Sequence, residues 1–106
     1  MRLKPKEITA ITTAFKDELV FYTFRLYLFG SRIDDHKKGG DIDLLVIVPD
    51  SHKQDVIPLK IKILNRIFDK IPEQRIDITV VGESDIAHDI FLQSILPTAV
   101  LLNRNS

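Results

Sequence analysis

The sequence predicts an α/β (α+β) fold of two layers, a small mixed β-sheet with helices packed on one face. Three observations predict it. Two separated stretches carry apolar residues at helical spacing, and three short β-rich runs alternate with them. The connection between the first two runs is too short for a parallel crossover, so the sheet must contain an antiparallel pair. With 106 residues, 44% of them hydrophobic, the chain suits one core and one domain spanning 1–106.

The first helix begins at Pro5, a residue tolerated in an opening turn, and Glu7 sits favourably near its positive end. Ile8, Ile11, Phe15 and Leu19 recur at steps of three and four and define its apolar face. The run "TFRLYLF" (23–29) reads as a strand covered on both faces, and Gly30-Ser31 ends it. A polar loop, 32–40, closes with Gly39-Gly40. The second strand, "DIDLLVIV" (41–48), stops at Pro49-Asp50.

Asp55 to Ile71 is the strongest helical pattern, with Ile57, Ile61, Leu64, Phe68 and Ile71 in phase and Pro58 tolerable only in a first turn. Pro72 punctuates its end. "RIDITVV" (75–81) alternates, with Arg75, Asp77 and Thr79 on one face and Ile76, Ile78 and Val80 on the other. Ser84 is the expected N-cap of a last helix running to about Leu96, before Pro97. The apolar tail "TAVLLN" is expected to dock as a short extra strand.

Composition narrows the function classes. Lys plus Arg and Asp plus Glu are 15 each, so the net charge is zero, and strong nucleic-acid binding is not expected. The absence of cysteine excludes a disulfide scaffold, a thiolate metal site and a cysteine nucleophile. No stretch has the length and apolarity of a signal peptide or a membrane span, so no membrane association is expected and a cytoplasmic location is the default.

Asp41 and Asp43 are misfits at the mouth of an otherwise apolar strand. Two apart on a strand, they share a face, with Cα atoms roughly 6 to 7 Å apart. Carboxylates this close repel, and a divalent cation relieves the repulsion. Hard oxygen ligands suit Mg²⁺ or Mn²⁺. If strands one and two are antiparallel and strands two and three parallel, Gly30-Ser31, Asp41 and Asp77 gather at one end of the sheet. A third acid there allows two ions to share the site. His52 and His88 have no motif around them and read as structural or surface residues.

The stretch "GSRIDDHKKGGDIDLLV" resembles the signature of the DNA polymerase beta-like nucleotidyltransferase superfamily. It is most similar to its minimal nucleotidyltransferase (MNT) domains: Gly-Ser, a loop of about ten residues, then Asp-x-Asp. The resemblance implies the nucleotidyltransferase fold, with Asp41 and Asp43 binding Mg²⁺ and Asp77 as the third acid. It implies that Gly30 and Ser31 hold a triphosphate, and that Arg32 meets phosphate charge. Positions 33–35 depart from the pattern: they read Ile-Asp-Asp where many relatives carry Ala-Arg-Gly, and His36, Lys37 and Lys38 are the remaining basic residues of the loop.

The activity implied is Mg²⁺-dependent transfer of NMP, AMP from ATP in the first instance, to an acceptor hydroxyl, one on a protein partner included. The alternative is an MNT-type antitoxin, a binding module that neutralises a HEPN-type helical toxin with or without catalysis. The apolar tail (Val100, Leu101, Leu102) and the segment around Phe21 and Tyr22 are the candidate surfaces for such a partner or a second copy in a homo-oligomer, although core burial is the expectation for most of these residues.

Overall fold

The computed structural model describes residues 3–30, 41–72 and 75–105. Helix α1 (Pro5–Glu18) leads into strands β1 (Phe24–Phe29) and β2 (Ile42–Val48). Helices α2 (Lys53–Val56) and α3 (Lys60–Lys70) precede β3 (Ile76–Gly82); α4 (Glu83–His88), α5 (Ile90–Ile95) and β4 (Val100–Asn105) follow. The sheet order is β3-β2-β1-β4. As expected, β1 pairs antiparallel with β2, and β2 runs parallel to β3. The apolar tail forms β4, antiparallel to β1 with a register shift at Leu26/Tyr27.

Helix α1 starts where the sequence places it. Pro5 occupies its first turn, and the buried Glu7 accepts the Lys4 backbone N–H at 2.9 Å, satisfying a donor that the helix start leaves unpaired. Ile11, Phe15 and Leu19 are buried and pack on the sheet with Ile63 and Ile67 of α3. Leu26, Leu28, Ile42, Leu44, Val46 and Ile78 supply the facing side.

The helix expected over 55–71 is broken. A 3₁₀ turn, Ile57–Leu59, separates α2 from α3, because Pro58 has no N–H to give and its ring clashes with the preceding turn. The break shifts the helical phase, so Val56, Ile63 and Ile67 are buried while Ile57 and Ile61 are exposed. The last helix is also divided. Gly82, not Ser84, caps α4, and Asp89 caps α5 by accepting the N–H groups of Phe91 (2.8 Å) and Leu92 (3.3 Å).

Packing on one face holds for α1 and α3. The short helices α4 and α5 cover part of the reverse face, where Leu92, Ile86, Ile95 and Leu96 meet Leu45, Ile47 and Val81. That partial cover explains β1: Phe24, Leu26 and Leu28 are buried, whereas Arg25, Tyr27 and Phe29 are only half-buried rather than equally covered.

Candidate functional site

The reverse face of the sheet changes character row by row. Register places Arg25, Ile47 and Val81 in one row and Tyr27, Leu45 and Thr79 in the next. Phe29, Asp43 and Asp77 form the third. Helix α5 covers the first rows and leaves the acid row open: Asp77 is exposed and Asp43 half-buried. At the far end Arg25 donates to both carboxylate oxygens of Glu83, at 2.8 and 2.9 Å, and ties β1 to the start of α4.

Asp43 and Asp77 are thus cross-strand neighbours in a parallel pair, about 5 Å apart at the backbone. Burial pushes the Asp43 carboxyl above the usual carboxylate range, and the charges of Asp77 and Asp41 push it further. Asp41 lies just before β2, with its Oδ1 3.9 Å from Arg75 Nη1. Arg75 therefore serves Asp41, not Asp77, and the contact is a weak one because its side chain is 84% exposed.

Gly30 closes the site from β1. Its φ of +83° is a conformation that side-chain-bearing residues avoid, and a Cβ there would collide with the Asp43 carboxylate. The end of β1 and the start of β2 therefore meet at the position the Gly-Ser and Asp-x-Asp spacing predicts. Ser31, Arg32 and the basic residues His36, Lys37 and Lys38 lie outside the described residues.

A family model described as "Nucleotidyltransferase domain" matches residues 8–97, from within α1 to just past α5. The chain belongs to the nucleotidyltransferase domain family. It is a minimal nucleotidyltransferase domain of the polymerase beta-like superfamily, and the mixed four-stranded sheet is consistent with that fold. Nucleotidyl transfer is the general chemistry such membership carries. No curated protein matches the chain.

In this nucleotidyltransferase domain the donor set is hard: three carboxylates and no sulfur. Among the described residues, no three His, Asp or Glu side chains converge into a ready-made metal cage. The geometry is an open carboxylate face, with Asp43 and Asp77 adjacent and Asp41 engaged by Arg75. Such a face suits a cation that keeps waters and takes substrate oxygens, as Mg²⁺ does. The mutual repulsion at Asp43 is the electrostatic reason a cation would be favoured there.

Sequence reading missed Phe29, the cross-strand partner of Asp43. The alternation of β1 contains the signal, since Arg25, Tyr27 and Phe29 must share a face, but only the register puts that face beside the acids. No helix among the described residues is long and apolar enough to cross a membrane.

Proposed function

We propose that this chain transfers a nucleotidyl group from a nucleoside triphosphate, ATP first among them, to an acceptor hydroxyl. The observation that carries the reading is the Asp43–Asp77 cross-strand pair with Gly30 packed on the Asp43 carboxylate, in a chain of this family. Asp41, Asp43 and Asp77 are the residues that would hold the metal. Two Mg²⁺ or Mn²⁺ ions, when bound, supply charge stabilisation at the phosphates and lower the acceptor's pKa.

The chain's own groups then have distinct tasks. Gly30 lets the backbone approach the triphosphate, Ser31 donates its hydroxyl and N–H to phosphate oxygens, and Arg32 balances phosphate charge. The acceptor oxygen attacks the α-phosphorus, and the bond from that phosphorus to the α,β-bridging oxygen breaks. Pyrophosphate leaves with the electron pair. Asp77, exposed where Asp43 is half-buried, takes up the hydroxyl proton. Incubation with α-labelled ATP and Mg²⁺ tests the reading: label should pass to an acceptor, and Asp43→Asn should abolish it. Equal labelling by the variant would sink the assignment.

A second reading, a binding module for a HEPN-type helical partner, is favoured by the turn after α1. Phe21 is 89% exposed there and Val20 61%, two adjacent apolar side chains that a partner could cover. Tyr22 does not contribute in the same way, because it is half-buried with its ring edge-on to His52, centroids 5.2 Å apart. In the tail, Val100 and Leu102 pack on the core and Leu101 alone is exposed. Co-purification with the product of the neighbouring gene tests this reading; a strict monomer with no such partner counts against it.

A further inference from the structure

The first turn of α5 exposes two large apolar residues in succession, Ile90 at 83% and Phe91 at 55%. Docking of the helix does not require this. Leu92 is buried, and Ile95 and Leu96 already pack on Leu45, Ile47 and Val81. Leaving a Phe in water forgoes stabilisation that burial would supply. Phe91 meets Phe29 edge to face, with ring centroids 6.2 Å apart and planes at 78°. With more than half of its surface exposed beyond that contact, Phe91 keeps ring surface for a further flat partner.

Phe29 fixes where this aromatic pair lies. It is the cross-strand partner of Asp43 on the side away from Asp77, and it directly precedes Gly30. Phe29, Asp43 and Asp77 therefore run in one row, aromatic then acid then acid, on the same face of the sheet. The backbone of Phe91 is held by Asp89, whose Oδ1 accepts its N–H at 2.8 Å. The result is an apolar shelf whose inner ring, Phe29, lies one strand spacing from Asp43.

From this juxtaposition we infer that Phe91, supported by Phe29, is the stacking platform for the nucleobase of the bound nucleotide. The inference rests on the nucleotidyl-transfer reading, since the carboxylate row is what brings a triphosphate to this edge. A nucleobase offers a flat π-face of the size a phenyl ring covers, and every base has one. The platform therefore contributes affinity for the base while discriminating weakly among bases. That division makes it separable from the phosphate side of the site.

The experiment titrates the full chain in Mg²⁺ with ATP and, separately, with inorganic tripolyphosphate, which has no base. Wild type should bind ATP more tightly than tripolyphosphate. Phe91→Leu, which keeps an apolar side chain, should weaken ATP binding about tenfold, the scale of one base–aromatic stack, and leave tripolyphosphate within about twofold. Phe91→Trp should keep the ATP preference. Because the sequence contains no tryptophan, its indole is then the only one in the chain, and its emission should be quenched by ATP but not by tripolyphosphate.

Unchanged ATP affinity in Phe91→Leu, equal loss for both ligands, or an indole that responds to neither overturns the inference. So does a wild type that binds both ligands equally, which leaves nucleotidyl transfer standing. A wild type that binds neither ligand overturns the transfer reading as well.

Discussion

Gly30 packs directly on the carboxylate of Asp43: the residue that follows β1 presses on the acid at the second position of β2, with no room for a Cβ between them. Two requirements coincide at that glycine, a φ of +83° and the close approach. Gly30→Ala should therefore do two things. Forcing an L-residue into the left-handed region costs about 1–2 kcal/mol, and each kcal/mol lowers the melting temperature by about 4–8 °C in a domain of this size. Displacing Asp43 should also weaken ATP binding. A melt combined with an ATP titration in Mg²⁺ checks both; unchanged melting would show that the turn has another conformation.

Asp43 predicts a pH dependence of opposite sign to that of an ordinary paired acid. Its carboxyl is raised by burial and by its two acidic neighbours, so the folded state binds the proton more readily than the unfolded state. Without divalent cation, stability should fall as pH rises from the usual carboxylate range through the raised Asp43 value. Asp43→Asn should flatten that window and melt higher than wild type in EDTA at neutral pH. Saturating Mg²⁺ should raise the wild-type melting temperature, by the equivalent of about 2.7 kcal/mol at a hundredfold excess over Kd, and leave the variant unmoved. Thermal melts across pH, with EDTA or Mg²⁺, decide the matter.

Asp85 predicts the reverse sign. It accepts from Lys53 Nζ and from the Gly82 N–H, both at 2.8 Å, and the Lys53 contact, then the backbone bond, holds its carboxyl below the usual range. Stability from this group is present above the ordinary carboxylate range and is lost as pH falls through the depressed value. Asp85→Asn should lower the melting temperature at pH 7 and converge with wild type in strong acid. A melting series from pH 7 to pH 2 provides the check.

Asp89→Ala removes the side-chain cap of α5 and should cost about 1 kcal/mol, within the range of about 0.5–2 for such caps. Amide hydrogen exchange should accelerate at Phe91 and Leu92, whose N–H groups lose their acceptor, and stay unchanged in α1.

Arg75→Ala should change stability by less than about 0.5 kcal/mol, because its 3.9 Å contact with Asp41 is exposed to solvent. Denaturant unfolding would reveal a larger loss if the pair mattered to the fold.

Much of the architecture was legible because it rests on local patterns. The spacing of Ile11, Phe15 and Leu19 located α1, and the short loop after Gly30 dictated the antiparallel β1–β2 pair. The same topology carried Asp77 to the mouth of β2, as anticipated, and the register there pairs it with Asp43. The misses share one cause, competition between a residue's local signal and its surroundings. Pro58 interrupted a periodic run and rotated Ile57 and Ile61 into solvent. Asp89 divided the helix that Ser84 and Pro97 bracket in the sequence, because its side chain caps a new one. The proximity of Phe29 and Phe91 to the acids depends on strand register and on how α5 docks, and neither is written in any single stretch.

The pairing of β4 with β1 has a consequence for biogenesis. Phe24 is matched with Asn105, so one flank of β1 waits for a segment that lies far downstream, beyond β2 and β3. The β1–β2 hairpin and the β2–β3 pair can assemble on the nascent chain, while the other side of β1 keeps its amides and carbonyls bare until β4 arrives. Premature termination before Val100 would leave that template permanently open, and the product would be prone to join other strands edge to edge rather than simply lack a tail.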